Sequence, residues 1–338
     1  MKKSKRMICA VMSGVMVLSL AACGGNSQEK ASALEQTSGG GQASTAEYTI
    51  GICQLVQHDA LDAATLGFKD AIKEALGEGA VKFDEQNAQG DSNTCSTIIN
   101  SFVSNEVDLI LANATPALQA AQAGTSEIPV LGTAVTEYGV ALGIDDFTGT
   151  VGGNISGTSD LAPLDEQAAM LKELFPDAKK VGLLYCSAEA NSQYQVDTVK
   201  AALEVLGCEC EYYAFSDSND LSAVATNAAG ACDVIYVPTD NTAASNSEII
   251  NNICQTAEVP LIAGEEGICK GCGVATLSID YYDLGVATGK MAVKILKGEA
   301  DIANMPIEYA PKFTKKYNPA ICETLGITPP EGYEAIAE

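Results

Sequence analysis

Asp108-Leu109-Ile110-Leu111-Ala112, with Thr115-Pro116-Ala117 just beyond, is the stretch that decides the fold. The apolar run is too short for a helix and reads as a strand buried on both faces, as in a parallel sheet. Pro116 then sits in the first turn of a helix over 116–123, where its missing N–H costs no hydrogen bond. The same string returns as Asp233-Val234-Ile235-Tyr236 with Thr239-Asp240-Asn241-Thr242 beyond it. The next strand is echoed as well: Ile128-Pro129-Val130-Leu131-Gly132 against Val259-Pro260-Leu261-Ile262-Ala263. A repeat this long means two similar lobes and not a solenoid.

Working outward, strands are expected at 48–53, 81–83, 108–112 and 128–131, then at 180–185, 210–214, 234–237 and 259–262. Helical spacing fills the gaps: Leu61, Ala64, Phe68, Ile72 and Ala75 share one face, and further helices fall at 94–103, 192–206, 221–228 and 242–257. Short apolar strands alternating with amphipathic helices predict an α/β protein with parallel sheets and right-handed crossovers. The tail adds a strand at 273–279, a helix at 282–296 closed by Gly298 and a strand at 305–309. These cannot form a core of their own, so they must complete the two lobes, and the chain must cross between lobes more than once.

The N-terminus is of another kind. Lys2, Lys3, Lys5 and Arg6 precede a mostly apolar run that ends in Leu20-Ala21-Ala22-Cys23. That is the order of an export signal, with an apolar stretch too short to span a bilayer. Ending it on a Cys resembles a bacterial lipoprotein signal, which implies lipidation at Cys23 after removal of 1–22. Residues 24–46 are mostly Gly, Ser, Gln, Thr and Ala without apolar periodicity, a flexible tether with a reach on the order of 25–30 Å. The expected place is therefore outside the cytoplasm, lipid-anchored to the cell membrane.

Composition narrows the function. A net charge of −25 argues against nucleic acid, whose phosphates need a basic surface. Arg6 is the only arginine and His58 the only histidine, which leaves no bidentate anion clamp and no multi-histidine metal site. Ten of the twelve cysteines lie beyond Cys23, several inside apolar runs where a free thiol behaves as a small hydrophobe. Cys269-Lys270-Gly271-Cys272 is the one tight pair: two free thiols, a local disulfide, a redox motif or half a zinc site. A Ser-His-Asp enzyme would have to use His58, yet no Gly-x-Ser-x-Gly elbow occurs, and Gly289-Lys290 lies inside a helix and not after a Gly-rich turn. No enzyme, cofactor or resident metal is expected.

Ligands of open α/β sheets bind beyond the carboxyl ends of the strands. In the first lobe those ends carry Gln54, His58, Asp59, Asn87, Gln89, Asp91, Asn113, Thr115, Thr133 and Thr136. In the second they carry Ser187, Glu189, Asn191, Ser192, Thr239, Asp240, Asn241, Glu265 and Glu266. Neutral donors and helix N-termini in one lobe suit a carboxylate, and acids in the other suit an ammonium, so a zwitterionic amino acid bridging the lobes would satisfy both. Several of the same residues, Asp59, Thr115 and Asp240 among them, would equally serve as helix caps. With no tryptophan in the chain, ring stacking falls to tyrosine or phenylalanine, and Tyr138, Tyr185, Tyr194 and Tyr236 lie near strand ends.

Gly51-Ile52-Cys53-Gln54-Leu55-Val56-Gln57-His58-Asp59, Gln86-Asn87-Ala88-Gln89-Gly90-Asp91 and Leu131-Gly132-Thr133-Ala134-Val135-Thr136 resemble substrate-binding lipoproteins of ABC transporters, of the tryptophan/tyrosine-type uptake family. So do Ser187-Ala188-Glu189-Ala190-Asn191-Ser192 and Tyr236-Val237-Pro238-Thr239-Asp240-Asn241. The resemblance implies a type I periplasmic-binding-protein fold, two Rossmann-like parallel-sheet lobes joined by three crossover segments near Gly157, Gly273 and Asn304. The lobes would then be 47–156 with 277–303, and 157–276 with 304–338. It implies a monomer that binds a small amino acid, aromatic where cargo is assigned, hinges shut on it and delivers it to an ABC permease and its ATPase. It places the ligand among Gln54, His58, Asn87, Thr115, Thr133, Ala134, Ser187, Asn191, Ser192, Thr239, Asp240 and Glu265. The carboxylate would lie at Thr115 and Thr133, and the ammonium at Asp240 with Glu265. A sugar or nucleoside binder of the same fold, and a ligand sensor reporting to a signalling partner, are the alternatives.

Overall fold

The computed structural model describes residues 47–337, so the export signal, Cys23 and the whole of the tether lie outside the described residues. The first lobe opens with β1 (Tyr48–Gln54), α1 (Asp59–Leu76), β2 (Val81–Asn87), α2 (Ser92–Ser104) and β3 (Leu109–Asn113). It continues with α3 (Thr115–Gly124), β4 (Val130–Val135), the short α4 (Tyr138–Leu142) and β5 (Ile155–Ser159). The second lobe holds α5 (Leu164–Leu174), β6 (Lys180–Cys186), α6 (Ala190–Val205), β7 (Glu209–Phe215), α7 (Ser218–Ala229) and β8 (Val234–Val237). There follow α8 (Asn241–Ser245), α9 (Ser247–Ala257), β9 (Leu261–Ala263), α10 (Glu266–Cys272) and β10 (Ala275–Ser278). The chain then returns to the first lobe for α11 (Tyr281–Leu296) and β11 (Glu308–Tyr309), and to the second for β12 (Thr314–Tyr317), α12 (Pro319–Leu325) and β13 (Glu334–Ala335).

Among the described residues, the first sheet runs β11-β5-β4-β3-β1-β2 and the second β13-β12-β10-β9-β8-β6-β7. Every pairing in the first sheet is parallel. In the second, β12 runs antiparallel to β10, the one departure from the expected all-parallel arrangement. Alternate residues of one strand feed cores on opposite faces of the first sheet. Leu109 and Leu111 pack with Phe68, Ile72 and Met291 of α1 and α11. Ile110 and Ala112 pack with Ile99, Phe102 and Leu118 of α2 and α3. This is the doubly wound layering the apolar strands predict.

The crossings differ from the expected positions by a few residues. β5 pairs with β4 from Ile155 to Ser159, so the chain leaves the first sheet after Ser159 and not at Gly157. Its sequence, Ile-Ser-Gly-Thr-Ser, has no apolar signature although all five residues are buried, because their hydroxyls bond those of Thr133 and Thr288 and the carbonyls of Met305 and Thr136. β11 pairs with Thr158 and Ser159, which keeps 308–309 in the first lobe and moves the last crossing to 310–313. The middle crossing is at 279–280, after β10. The long helix expected over 242–257 is two helices, α8 and α9, broken at Asn246.

Two glycines set the approach of α1 to α11. A Cβ on Gly285 would lie 2.0 Å from the Ala64 carbonyl oxygen, and one on Gly67 2.1 Å from that of Tyr282. Cys269 and Cys272 are buried free thiols in the helix α10, directed at the carbonyls of Gly273 and Ile268. No group of metal-ligating side chains occurs among the described residues, and none of their helices is long and apolar enough to cross a membrane.

Candidate ligand-binding site between the lobes

The carboxyl ends of β1, β3, β4 and β5 lie along one edge of the first sheet, facing those of β6, β8 and β9. The lobes touch across this cleft. His58 Nε2 lies 3.2 Å from Asn241 Oδ1, Lys270 Nζ lies 3.7 Å from Asp59 Oδ2, and Thr239 of the second lobe meets the Tyr281 hydroxyl. A cavity of about 570 Å³ opens between them, lined by Leu55, Gln89 and Pro116 on one side and Glu189, Asn241 and Thr242 on the other.

Many of the expected site residues bond within their own lobe. Gln54 donates to Asp62 Oδ1 at 2.6 Å and accepts from Thr65. The Thr133 hydroxyl joins those of Thr158 and Thr288 in a buried trio behind the sheet. Asn87 is exposed and accepts from the Gln89 N–H, shaping a loop; Ser187 is exposed and donates to the Phe215 carbonyl. Asp240 caps α8 by accepting from Ala243 N at 2.8 Å and ties it to β6 by accepting from Cys186 N at 2.6 Å. Ser192 supports Asp240 with a further hydrogen bond. Glu189 accepts from the backbone and side chains of both Asn241 and Thr242. Glu265 caps α10 through the N–H groups of Gly267 and Ile268. Burial raises the carboxyls of both Asp240 and Glu265, the latter to about 7. The capping role read at Asp240 and Thr115 is thus filled at Asp240, and at α3 the first-turn position falls to Thr115 itself.

Tyr138 and Tyr236 are core residues, their hydroxyls donating to the Thr158 carbonyl and to Gln167. Tyr185 stacks edge-on against Tyr212, 5.9 Å between centroids. Tyr194, on α6, lies near Glu137 and Tyr309 of the first lobe, so it is the one of the four that reaches across.

Four buried polar atoms of this region have no partner among the described residues: His58 Nδ1, Asn113 Oδ1, Asn191 Oδ1 and Asp160 Oδ1. All four are acceptors, and the bonds around them fix that assignment. The Asn113 amide donates to the Leu61 carbonyl and the Asn191 amide to the Thr239 carbonyl, so the oxygens are the free atoms. Asn241 donates to Glu189 at 2.6 Å, which presents its oxygen to His58. Nε2 of His58 must therefore carry the proton, and Nδ1 keeps its lone pair. Burial pushes the imidazole below its ordinary value, which holds it in this neutral form. His58 and Asn191 were legible in the sequence; Asp160, one residue past a strand with no apolar pattern, was not.

The backbone is strained at the same edge. Ala114, after β3, has φ 90°, and Ala134, at the irregular step of β4, has φ 51°. Such angles cost about 1–3 kcal/mol each for a residue with a side chain, and they cluster at ligand sites.

Residues 49–338 match the family of ABC transporter substrate binding proteins. The chain is 36% identical to a tyrosine-binding protein of Clostridioides difficile over 310 residues, 91% of this chain and 88% of that protein. Among solved structures, an ABC domain from Streptococcus pneumonia in complex with L-Trp superposes with a TM-score of 0.81 at 34% identity, covering 86% of this chain and all of that one. The ligand-free, open structure of a substrate binding protein with adhesive properties from Clostridium difficile is 37% identical over 86% of this chain and 99% of that one, yet superposes with a TM-score of only 0.65. Similar sequence with poorer superposition on the open form agrees with the interlobe bonds: the lobes here are closed. An ABC transporter solute binding protein from Clostridium phytofermentans with bound L-rhamnose, at 16% identity and a TM-score of 0.56, shares the fold alone. The strand-end cleft, the two doubly wound lobes and the match along nearly the whole described chain have one reading: this protein is a substrate-binding protein of the ABC transporter family, and not an enzyme.

Proposed function

We propose that the chain is a monomeric, lipid-anchored receptor outside the cell membrane that binds an aromatic L-amino acid with a donor on its ring, tyrosine or tryptophan. It passes that cargo to an ABC permease and its ATPase. Cys23 carries the lipid and 24–46 form the tether. Closure of the lobes over the ligand creates the shape the permease accepts. The ligand carboxylate lies at Thr115 and the N-terminal turn of α3, whose N–H groups suit an anion.

The observation that carries the cargo is His58 Nδ1, a buried lone pair on the cleft with no donor among the described residues. A phenol O–H or an indole N–H satisfies it; a phenylalanine ring leaves it unpaired, which costs about 1–3 kcal/mol. The tyrosine-binding relative and the L-Trp complex both involve such rings. Titration calorimetry tests this. L-tyrosine or L-tryptophan should bind at least about tenfold tighter than L-phenylalanine, since 1.4 kcal/mol is tenfold. His58→Leu should close that gap. Equal affinity for phenylalanine in the wild type refutes the role of His58, and binding of a sugar or nucleoside with no amino acid refutes the cargo.

A further inference from the structure

The acids that sequence resemblance offers to a ligand ammonium are already occupied. Asp240 and Glu265 both spend their carboxylates on helix N–H groups and backbone of their own lobe. Glu189 is likewise consumed by Asn241 and Thr242. One buried carboxylate at the crossover between the lobes is not. Asp160 is the first residue beyond β5, on the crossover between the lobes, and is only 3% exposed. Its Oδ2 accepts from the Tyr281 hydroxyl at 2.9 Å, while Oδ1 has no partner. Its own N–H is held by the Val135 carbonyl at the end of β4, beside Thr136. Tyr281 in turn meets Thr239 of the second lobe, so the carboxylate sits where both lobes converge. The titratable side chains acting on its surroundings are Tyr138 and Tyr281, neither a cation, and no lysine pairs with it.

We infer that Asp160 is the residue that anchors the ammonium of the ligand, through Oδ1, and so selects α-amino acids over their deaminated analogues. This rests on the amino-acid reading above but not on the ring being aromatic. A carboxylate this buried stays ionised only with a cation or a full set of donors, and otherwise takes up a proton. The protein supplies hydroxyls from Tyr281, to Oδ2, and from Thr136, but no cation, and burial raises the carboxyl above its ordinary value. Tyr281 orients the carboxylate from the side away from the free oxygen.

The test compares wild type and Asp160→Asn against a panel of L-amino acids and against 3-(4-hydroxyphenyl)propionate, which is tyrosine without its amino group. Wild type should prefer the amino acid by about 100-fold or more, the scale of a buried charge pair. Asp160→Asn should lose most of that preference while its affinity for the propionate stays within about threefold, the outcome a merely structural role would not produce. Equal losses for both ligands, or no loss for either, overturn the assignment. If the variant does not fold, the wild-type ratio still decides, since a ratio near one overturns it. Binding of a non-aromatic amino acid that Asp160→Asn abolishes supports Asp160 and refutes the aromatic cargo. A wild type that binds no α-amino acid refutes both.

Discussion

Replacing Asp240 by Ala leaves the buried N–H groups of Cys186 and Ala243 without an acceptor, in a residue position that is itself almost fully buried. Each orphaned group costs about 1–3 kcal/mol, so Asp240→Ala should destabilise the second lobe by about 2–5 kcal/mol. A urea melt with no ligand present checks this; an unchanged midpoint would show that the carboxylate is free to serve a ligand. The cap was readable because Thr-Asp-Asn-Thr directly precedes a helix. The bond to Cys186 was not, since it spans 54 residues. Asp160 was harder still: what makes it informative is Tyr281, 121 residues away, together with an oxygen that nothing fills. Local pattern names the residue types that end strands, but which of their atoms are already spent is a long-range fact.

At the scale of elements, the packing of α1 on α11 explains why the chain returns to the first lobe. α11 supplies Met291 and Ala292 to the core that Phe68 and Ile72 of α1 begin. The two helices approach so closely that Gly285 faces the Ala64 backbone directly. Gly285→Ala must push the helices apart, and such overpacking costs about 1–3 kcal/mol against a gain of up to about 1 kcal/mol in helix propensity. The net effect should be a lower melting temperature; a rise would mean the helices can separate freely. Both helices were legible from their period of apolar residues, and so were the apolar strands. β5 and α10 were not. β5 is buried through hydroxyls, so it carries no hydrophobic signal. α10 hides in Cys-Lys-Gly-Cys, which reads as a loop until Glu265 caps it and Cys269 and Cys272 join the core.

For the whole molecule, closure brings titratable groups out of water, and pH should therefore act on ligand affinity. His58 donates to Asn241 through Nε2–H, but only the neutral imidazole keeps the Nδ1 lone pair for a ligand donor, and burial in the closed cleft lowers its pKa from the ordinary value of 6.5, against the opposing pull of Asn241, Glu189, Asp62 and Asp59. With the lobes apart, the ring regains water and titrates near 6.5. The open form then binds more protons below that value, so closure weakens as pH falls through it. Glu265 acts in the opposite sense. Burial beside Glu266 and Asp59 raises it to about 7, so the folded lobe holds a proton that the unfolded chain would release above about 4.3. Its stabilisation is therefore present at low pH and lost as pH rises toward 7. The two contributions separate by what is measured. Ligand affinity should weaken between about pH 7 and pH 5, and His58→Asn should flatten that dependence while leaving the pH profile of unfolding nearly unchanged. Glu265→Gln should flatten the unfolding profile and leave the affinity profile intact. An affinity that stays level down to pH 5 in the wild type would show that His58 does not change its surroundings when the lobes close.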